Sequence, residues 1–84
     1  MSKLYLYGTV GYDIDADYVR MVLDETEGEL EMRINSGGGD VFEGNSIYAL
    51  LNSWKRKPEN QLTIYVDGLA ASIASVIAMS GDEI

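Results

Sequence analysis

Three short runs of alternating apolar and polar residues, two of them leading into a helical stripe and the third into a small-sided apolar segment, constrain this chain more than any other feature. Leu4 and Leu6 alternate with Tyr5 and Tyr7, and Leu30, Met32 and Ile34 alternate with Glu29, Glu31 and Arg33. Leu62-Thr-Ile-Tyr-Val66 is the third run. A period of two places alternate side chains on opposite faces of a strand. After the first run, Ile14, Tyr18 and Val22 form a helical stripe with Val19 and Leu23 beside it, capped by Asp13 or Asp15 and stopped by Gly28. After the second, Ile47, Leu50, Leu51 and Trp54 fall at i, i+3, i+4 and i+7, in a helix ending near Pro58. The order β-α-β-α-β-α predicts a mostly parallel sheet with right-handed crossovers, an α/β fold of which 1–84 is the N-terminal part of a single domain. No internal repeat, low-complexity segment or linker interrupts it.

The segment after the third strand is different. Gly68-Leu-Ala-Ala-Ser-Ile-Ala-Ser-Val-Ile-Ala-Met79 is apolar and small-sided almost all round, so the expected third helix belongs inside a larger body. It is far shorter than the ~20 residues that cross a bilayer. Ser80-Gly-Asp-Glu-Ile84 reads as the exit from that helix into a further strand, so the domain is expected to continue past Ile84. An exposed strand edge and an uncovered apolar helix predict self-association of the chain alone.

Composition narrows the function classes. With 46% hydrophobic and 24% charged residues the chain is globular rather than disordered. A net charge of −8 leaves no basic surface for nucleic acid or an anionic membrane. Lys55, Arg56 and Lys57 are the one basic cluster, placed to complement the end of the second helix. Cysteine is absent, which excludes disulfides and thiolate metal sites, and the first residues are too alternating for a signal peptide. The expectation is a soluble, cytoplasmic chain without cofactor or metal. Asp and Glu are scattered without metal-ligand spacing and read as solvated surface; the tyrosines read as half-buried packing residues.

Two strand-to-helix turns carry the candidate chemistry. The first, Asn35-Ser-Gly-Gly-Gly-Asp40, runs into Gly39-Asp-Val-Phe-Glu-Gly44-Asn-Ser46, which has the glycine spacing of a phosphate loop but not its chemistry: Asn45 stands where lysine is needed, and Asp40 and Glu43 would repel phosphate. A dinucleotide fingerprint fails because Phe42 stands at the third glycine. A tight turn accounts for one or two glycines; three in succession suit a ligand or oxyanion lying against the backbone. Gly68 marks the second turn, with Ser72 near the start of the following helix. A serine among alanines is ordinarily a packing residue bonded back to a carbonyl, and Ser75 stays in that class. In a parallel sheet, however, both turns lie at the carboxyl edge, where sites form. There the Gly-rich loop and the Ile73 N–H could surround a Ser72 nucleophile with oxyanion donors. The chain contains no histidine to serve as its base.

These residues resemble a known family. Ile34-Asn-Ser-Gly-Gly-Gly-Asp-Val-Phe-Glu-Gly44 with Ile47-Tyr48 is similar to the Asn-Ser-Pro-Gly-Gly loop and following helix of Clp-type serine peptidases. Val66-Asp-Gly-Leu-Ala-Ala-Ser-Ile-Ala-Ser-Val-Ile-Ala-Met-Ser-Gly-Asp82 is similar to their nucleophile segment. The Gly-Asp-Val-Phe and Asp-Gly-Leu-Ala-Ala-Ser wording resembles the phage head-maturation (prohead) branch. The resemblance implies an α/β, ClpP/crotonase-like spiral of β-β-α units, of which the chain is the N-terminal portion, assembling into homo-oligomeric rings. It implies Ser72 as nucleophile, the N–H groups of Gly39 and Ile73 as oxyanion donors, and Gly38 shaping the edge where an extended polypeptide substrate pairs. Gly37 stands where the family carries proline, and the family's His and Asp lie beyond this sequence. Without them the chain itself is expected to be inactive. Lys3, Lys55 and Lys57 fall in segments remote from Ser72 and do not suit a Ser–Lys dyad. An ATPase partner is left open. Two rival readings are a crotonase-like acyl-thioester enzyme, which would use the oxyanion hole but not Ser72, and a non-catalytic assembly module.

Overall fold

The computed structural model describes residues 2–81. Its elements are β1 (Ser2–Val10), α1 (Ala16–Asp24), β2 (Glu29–Gly39), α2 (Val41–Lys55), β3 (Gln61–Ala70) and α3 (Ile73–Ala78). The three strands form one parallel sheet in the order β1-β2-β3, so the carboxyl ends of β2 and β3 lie side by side at one edge.

Alternation decides the faces. Leu4, Leu6, Leu30, Met32, Ile34, Leu62 and Ile64 are buried on one side of the sheet, under Val19 and Leu23 of α1, Ile47, Leu51 and Trp54 of α2, and Ile77 of α3. Burying side chains of this size contributes roughly 1.5–3 kcal/mol each. The opposite face, with Lys3, Tyr5, Tyr7, Arg33 and Tyr65, is covered by none of the described residues. Tyr5, Tyr7, Tyr18 and Tyr65 remain 44–50% exposed and Tyr48 is intermediate, close to the half-buried expectation; Tyr12, at 87%, departs from it. Tyrosine suits strands, but the strand period puts Tyr5, Tyr7 and Tyr65 on the side without helices.

Several acidic residues are structural rather than simply solvated. Asp15 caps α1, accepting from the Tyr18 N–H at 2.7 Å, and Asp40 caps α2, accepting from Phe42 at 2.8 Å and Glu43 at 3.1 Å. The Glu43 carboxylate accepts from the Ala16 N–H at 2.7 Å and so joins the two helix starts. At the other end of the sheet, Asn60 accepts from Gly28 and donates to the Trp54 carbonyl, while the Trp54 indole donates to Thr26 O.

Boundaries differ from the sequence reading: α1 begins at Ala16, which leaves Ile14 outside it, bridged to Val10. The Gly-rich segment is not a turn: β2 runs through it, because Gly38 and Gly39 pair with Thr9 and Val10. A Cβ at Gly39 would overlap the Val10 carbonyl, so glycine is what lets the strands approach there. β3 likewise passes Gly68 to Ala70, and α3 is only six residues long. Ile73, Ala74, Ile77 and Ala78 of that helix are buried, whereas Ser75, Val76 and Met79 face outward. The predicted exit into a further strand falls largely on residues 82–84, outside the described residues. No helix among the described residues is long and apolar enough to cross a membrane.

Candidate active site

Ser72 stands alone in backbone conformation. Among the described residues it is the only non-glycine with positive φ, at φ 55° and ψ −131°. The Ala74 N–H bonds to Ala71 O at 3.0 Å, closing a four-residue turn with Ser72 at its second position. Those angles approximate the first central residue of a type II′ turn, where glycine is normally required. A side chain held there costs on the order of 1–3 kcal/mol and persists only where its surroundings over-determine it. The effect is to lift Ser72 out of the sheet edge, exposed, before α3 begins.

Two neighbours hold this turn. The Ala71 N–H donates to Ser36 O at 3.1 Å, tying the end of β3 to β2. The Ser36 hydroxyl, 3% exposed, accepts from the Gly38 N–H at 3.1 Å. From α2, Gly44 leaves room for Ile73, since a Cβ there would overlap Ile73 Cγ1. Ser75 donates both its N–H and its hydroxyl to Ser72 O, at 3.0 and 2.6 Å, which is the back-bonding expected of it.

The Gly-rich strand end lies directly against the serine. A Cβ on Gly38, whose φ is 110°, would stand 2.7 Å from Ser72 Cβ and 3.2 Å from Ser72 Oγ. The Asp40 N–H donates to Val10 O at 2.8 Å, so alternation along the strand turns the adjacent Gly39 N–H away from β1, toward the edge that carries Ser72. The Ile73 N–H begins α3, and among the described residues it has no backbone acceptor. The four residues singled out in the sequence, Gly38, Gly39, Ser72 and Ile73, thus belong to one edge of the sheet. What the sequence reading missed is their support. Ser36 stood in the motif without a role, and Gly44 served only as a spacing marker. The fixed spacing of both from the turn glycines was the available signal.

Other candidates stay apart. Lys3 pairs with Glu31 near the amino end of the strands. Lys55 ends the fifteen-residue helix that touches Ile73 at its first turn, and Lys57 lies beyond it, so neither reaches Ser72. Among the described residues no cluster of His, Cys, Asp or Glu could hold a metal. A cleft of about 490 Å³ opens between the ends of α1 and α2, lined by Leu23, Leu50, Trp54 and Asn60 among others. It contains none of the residues around Ser72.

Comparison with known proteins bears on the family and the fold. The Clp protease family matches residues 4–84. ClpP1 from Listeria monocytogenes superposes with a TM-score of 0.74 at 20% identity, covering 94% of this chain and 46% of that one. The ClpP protease catalytic domain from Plasmodium falciparum gives a TM-score of 0.72 at 28% identity, covering 95% of this chain and 43% of that one. This chain therefore spans a little under half the length of those structures and shares their ClpP-like α/β fold over that part. By the family match across nearly its whole length, the chain belongs to the Clp protease family.

Proposed function

We propose that this chain supplies the nucleophile and the oxyanion-binding backbone of a Clp-type serine endopeptidase. The observation that carries the reading is Ser72, exposed in a strained turn and pressed against Gly38. Strain at a non-glycine residue is retained where function needs the geometry. Ser72 Oγ attacks the peptide carbonyl, and the N–H groups of Gly39 and Ile73 stabilise the tetrahedral oxyanion. Gly38 keeps the strand edge clear so that an extended polypeptide can pair there. Residues 1–84 contain no histidine, so the base that takes the Ser72 proton is supplied from outside them. No cofactor is required.

The finer reading is a protease of phage head maturation that processes scaffold or capsid proteins, on the strength of Gly39-Asp-Val-Phe42 and Asp67-Gly-Leu-Ala-Ala-Ser72. Homo-oligomeric assembly fits the sheet face left bare by the described residues, because parallel sheets are ordinarily covered on both sides.

Labelling with a serine-directed fluorophosphonate tests the nucleophile. The complete protein is expected to label at Ser72 and to lose both labelling and processing of a co-expressed scaffold protein as Ser72→Ala. The 84-residue chain alone should label far more slowly, retaining only the oxyanion hole and binding. Processing that survives Ser72→Ala would overturn the reading. Acyl-thioester turnover by that variant would favour crotonase-like chemistry instead.

A further inference from the structure

Regular pairing stops at one level in all three strands. β1 and β2 stay in register from Ser2↔Leu30 to Tyr7↔Asn35, then slip so that Thr9 opposes Gly38. β2 and β3 stay in register from Glu29↔Gln61 to Ile34↔Val66, then slip so that Ser36 opposes Ala70. Asp67, Gly68 and Leu69 therefore stand opposite Asn35 alone, as a bulge in the strand that delivers Ser72. Bulges of this kind bend a strand and re-aim the residues after it. Each strand also carries a glycine of positive φ just above the level: Gly8 at 112°, Gly38 at 110° and Gly68 at 108°. Glycine is the residue least restrained by its own backbone, so whatever fixes this level is supplied by neighbours.

One side-chain group spans the sheet there, on the face without helices. The Tyr7 hydroxyl of β1 donates to Asp67 Oδ2 at 2.6 Å. Arg33 of β2 donates through Nη1 to Asp67 Oδ1 at 2.7 Å and through Nε to Glu31 Oε2 at 3.0 Å. Its guanidinium lies 4.5 Å from the centroid of the Tyr65 ring, and Tyr5 meets Tyr7 edge-on at 5.7 Å. Each Asp67 oxygen is thus held by a different strand, and Asp67 is the first residue of the bulge. The next backbone anchors are the Ser36–Ala70 pairing and the Ala71 bond to Ser36 O.

We propose that Tyr7, Arg33 and Asp67 are positioning residues, a clamp that fixes the root of the β3 bulge and so sets where Ser72 stands relative to Gly38. This rests on Ser72 being the nucleophile; none of the three touches substrate. With the clamp open, Gly68 is free to rotate, and the error is passed through Leu69, Ala70 and Ala71 to the serine. Misplacing a reacting atom by about 1 Å can cost on the order of 10²-fold in rate.

The experiment uses the complete protein in four forms: wild type, Tyr7→Phe, Asp67→Asn and the double variant. Fluorophosphonate inactivation is split into a limiting rate and a half-saturating concentration, and hydrogen–deuterium exchange is followed in peptides from β3–α3 and from α2. Asp67→Asn should lower the limiting rate about tenfold or more, leave half-saturation unchanged, and raise exchange over 66–75 but not in α2. Tyr7→Phe, which removes one hydroxyl, should give a smaller loss that disappears in the Asp67→Asn background. An unchanged limiting rate in Asp67→Asn overturns the proposal, and so does a loss accompanied by equal loosening of α2. Wild-type protein that does not label at Ser72 refutes the nucleophile and the positioning role with it. In that case, faster exchange over 66–75 would show that the clamp still holds the bulge.

Discussion

The two halves of the sheet are built from opposite materials. Below the level of Tyr7, Ile34 and Val66 the strands are in register, and Leu4, Leu6, Leu30, Met32, Ile34, Leu62 and Ile64 interlock with the helices, each at most 1% exposed. Above it, Gly8, Gly11, Gly38, Gly39, Gly68 and Ser72 have positive φ, and glycine sits where a side chain would collide. The lower half is ordered by side chains that fill space, the upper by backbone that is kept bare. A site that recognises a peptide carbonyl through N–H groups needs the second kind, and it holds its shape because the first kind is rigid beneath it.

Substitutions can break that contrast. Ile64→Ala, in the lower half, should cost about 2–5 kcal/mol in urea unfolding, since the cavity cannot collapse against its neighbours. A cost near that of an exposed site would mean that the core is not close-packed. Gly38→Ala should cost less, about 1–3 kcal/mol, but should abolish fluorophosphonate labelling of the complete protein, because the new methyl meets Ser72 at positive φ. Near-wild-type labelling would deny the upper half its functional role. Ser72→Gly should raise stability by up to about 1 kcal/mol while removing the nucleophile, since relief of strain outweighs the added chain entropy. Ser72→Ala should give no such gain, and equal stability of the two variants would show that the turn is unstrained.

The boundary between the halves predicts a pH response. The Asp67 carboxyl is held below its ordinary range, first by the Tyr7 hydroxyl and then by Arg33, against the opposing effect of desolvation. Arg33, Glu31, Tyr5, Tyr7 and Tyr65 are the charged and titratable groups of this cluster. A depressed carboxyl stabilises the fold above its unfolded value, and that contribution is lost as pH falls through the lower, folded value. Tyr7 is shifted upward, chiefly by its bond to Asp67, so its share is complete below the ordinary tyrosine range and is lost as pH rises through the raised value. Between neutral and acid pH, wild type should therefore lose more stability than Asp67→Ala, which has no such contribution to lose. Absorbance titration near 295 nm should lose its latest-ionising tyrosine in Tyr7→Phe. Coincident curves would detach the cluster from folding. The smallest effect is expected at Gly37→Ala, whose methyl would meet only Leu69 Cδ2, at 3.9 Å.

Much of this was legible in the residues, and the failures have one cause. Period-two alternation in Leu30–Ile34 and the Ile47, Leu51, Trp54 stripe identified β2 and α2, because burial of one face writes itself into local spacing. The Gly-rich segment read as a turn because glycine disfavours strands, yet Gly38 and Gly39 extend β2, paired to Thr9 and Val10 on a strand nearly thirty residues away. The small-sided run read as one long helix for the same reason: nothing local shows that Leu69 and Ala70 remain in β3 opposite Ser36. Gly8, Gly38 and Gly68 stand thirty residues apart, but no sequence repeat accompanies them, so their shared level in the sheet was not visible.

By itself the sequence determined the alternating strands and helices and the parallel α/β architecture, and it singled out Gly38, Gly39, Ser72 and Ile73 as candidates. Each is written either in local periodicity or in short motifs whose glycines and serine have few physical uses. Only the tertiary structure decided that Ser72 is strained, that Gly44 makes room for Ile73, and that Tyr7 and Arg33 meet on Asp67. Those contacts join residues far apart in the chain, and their geometry follows from strand register, which pairing and packing fix together.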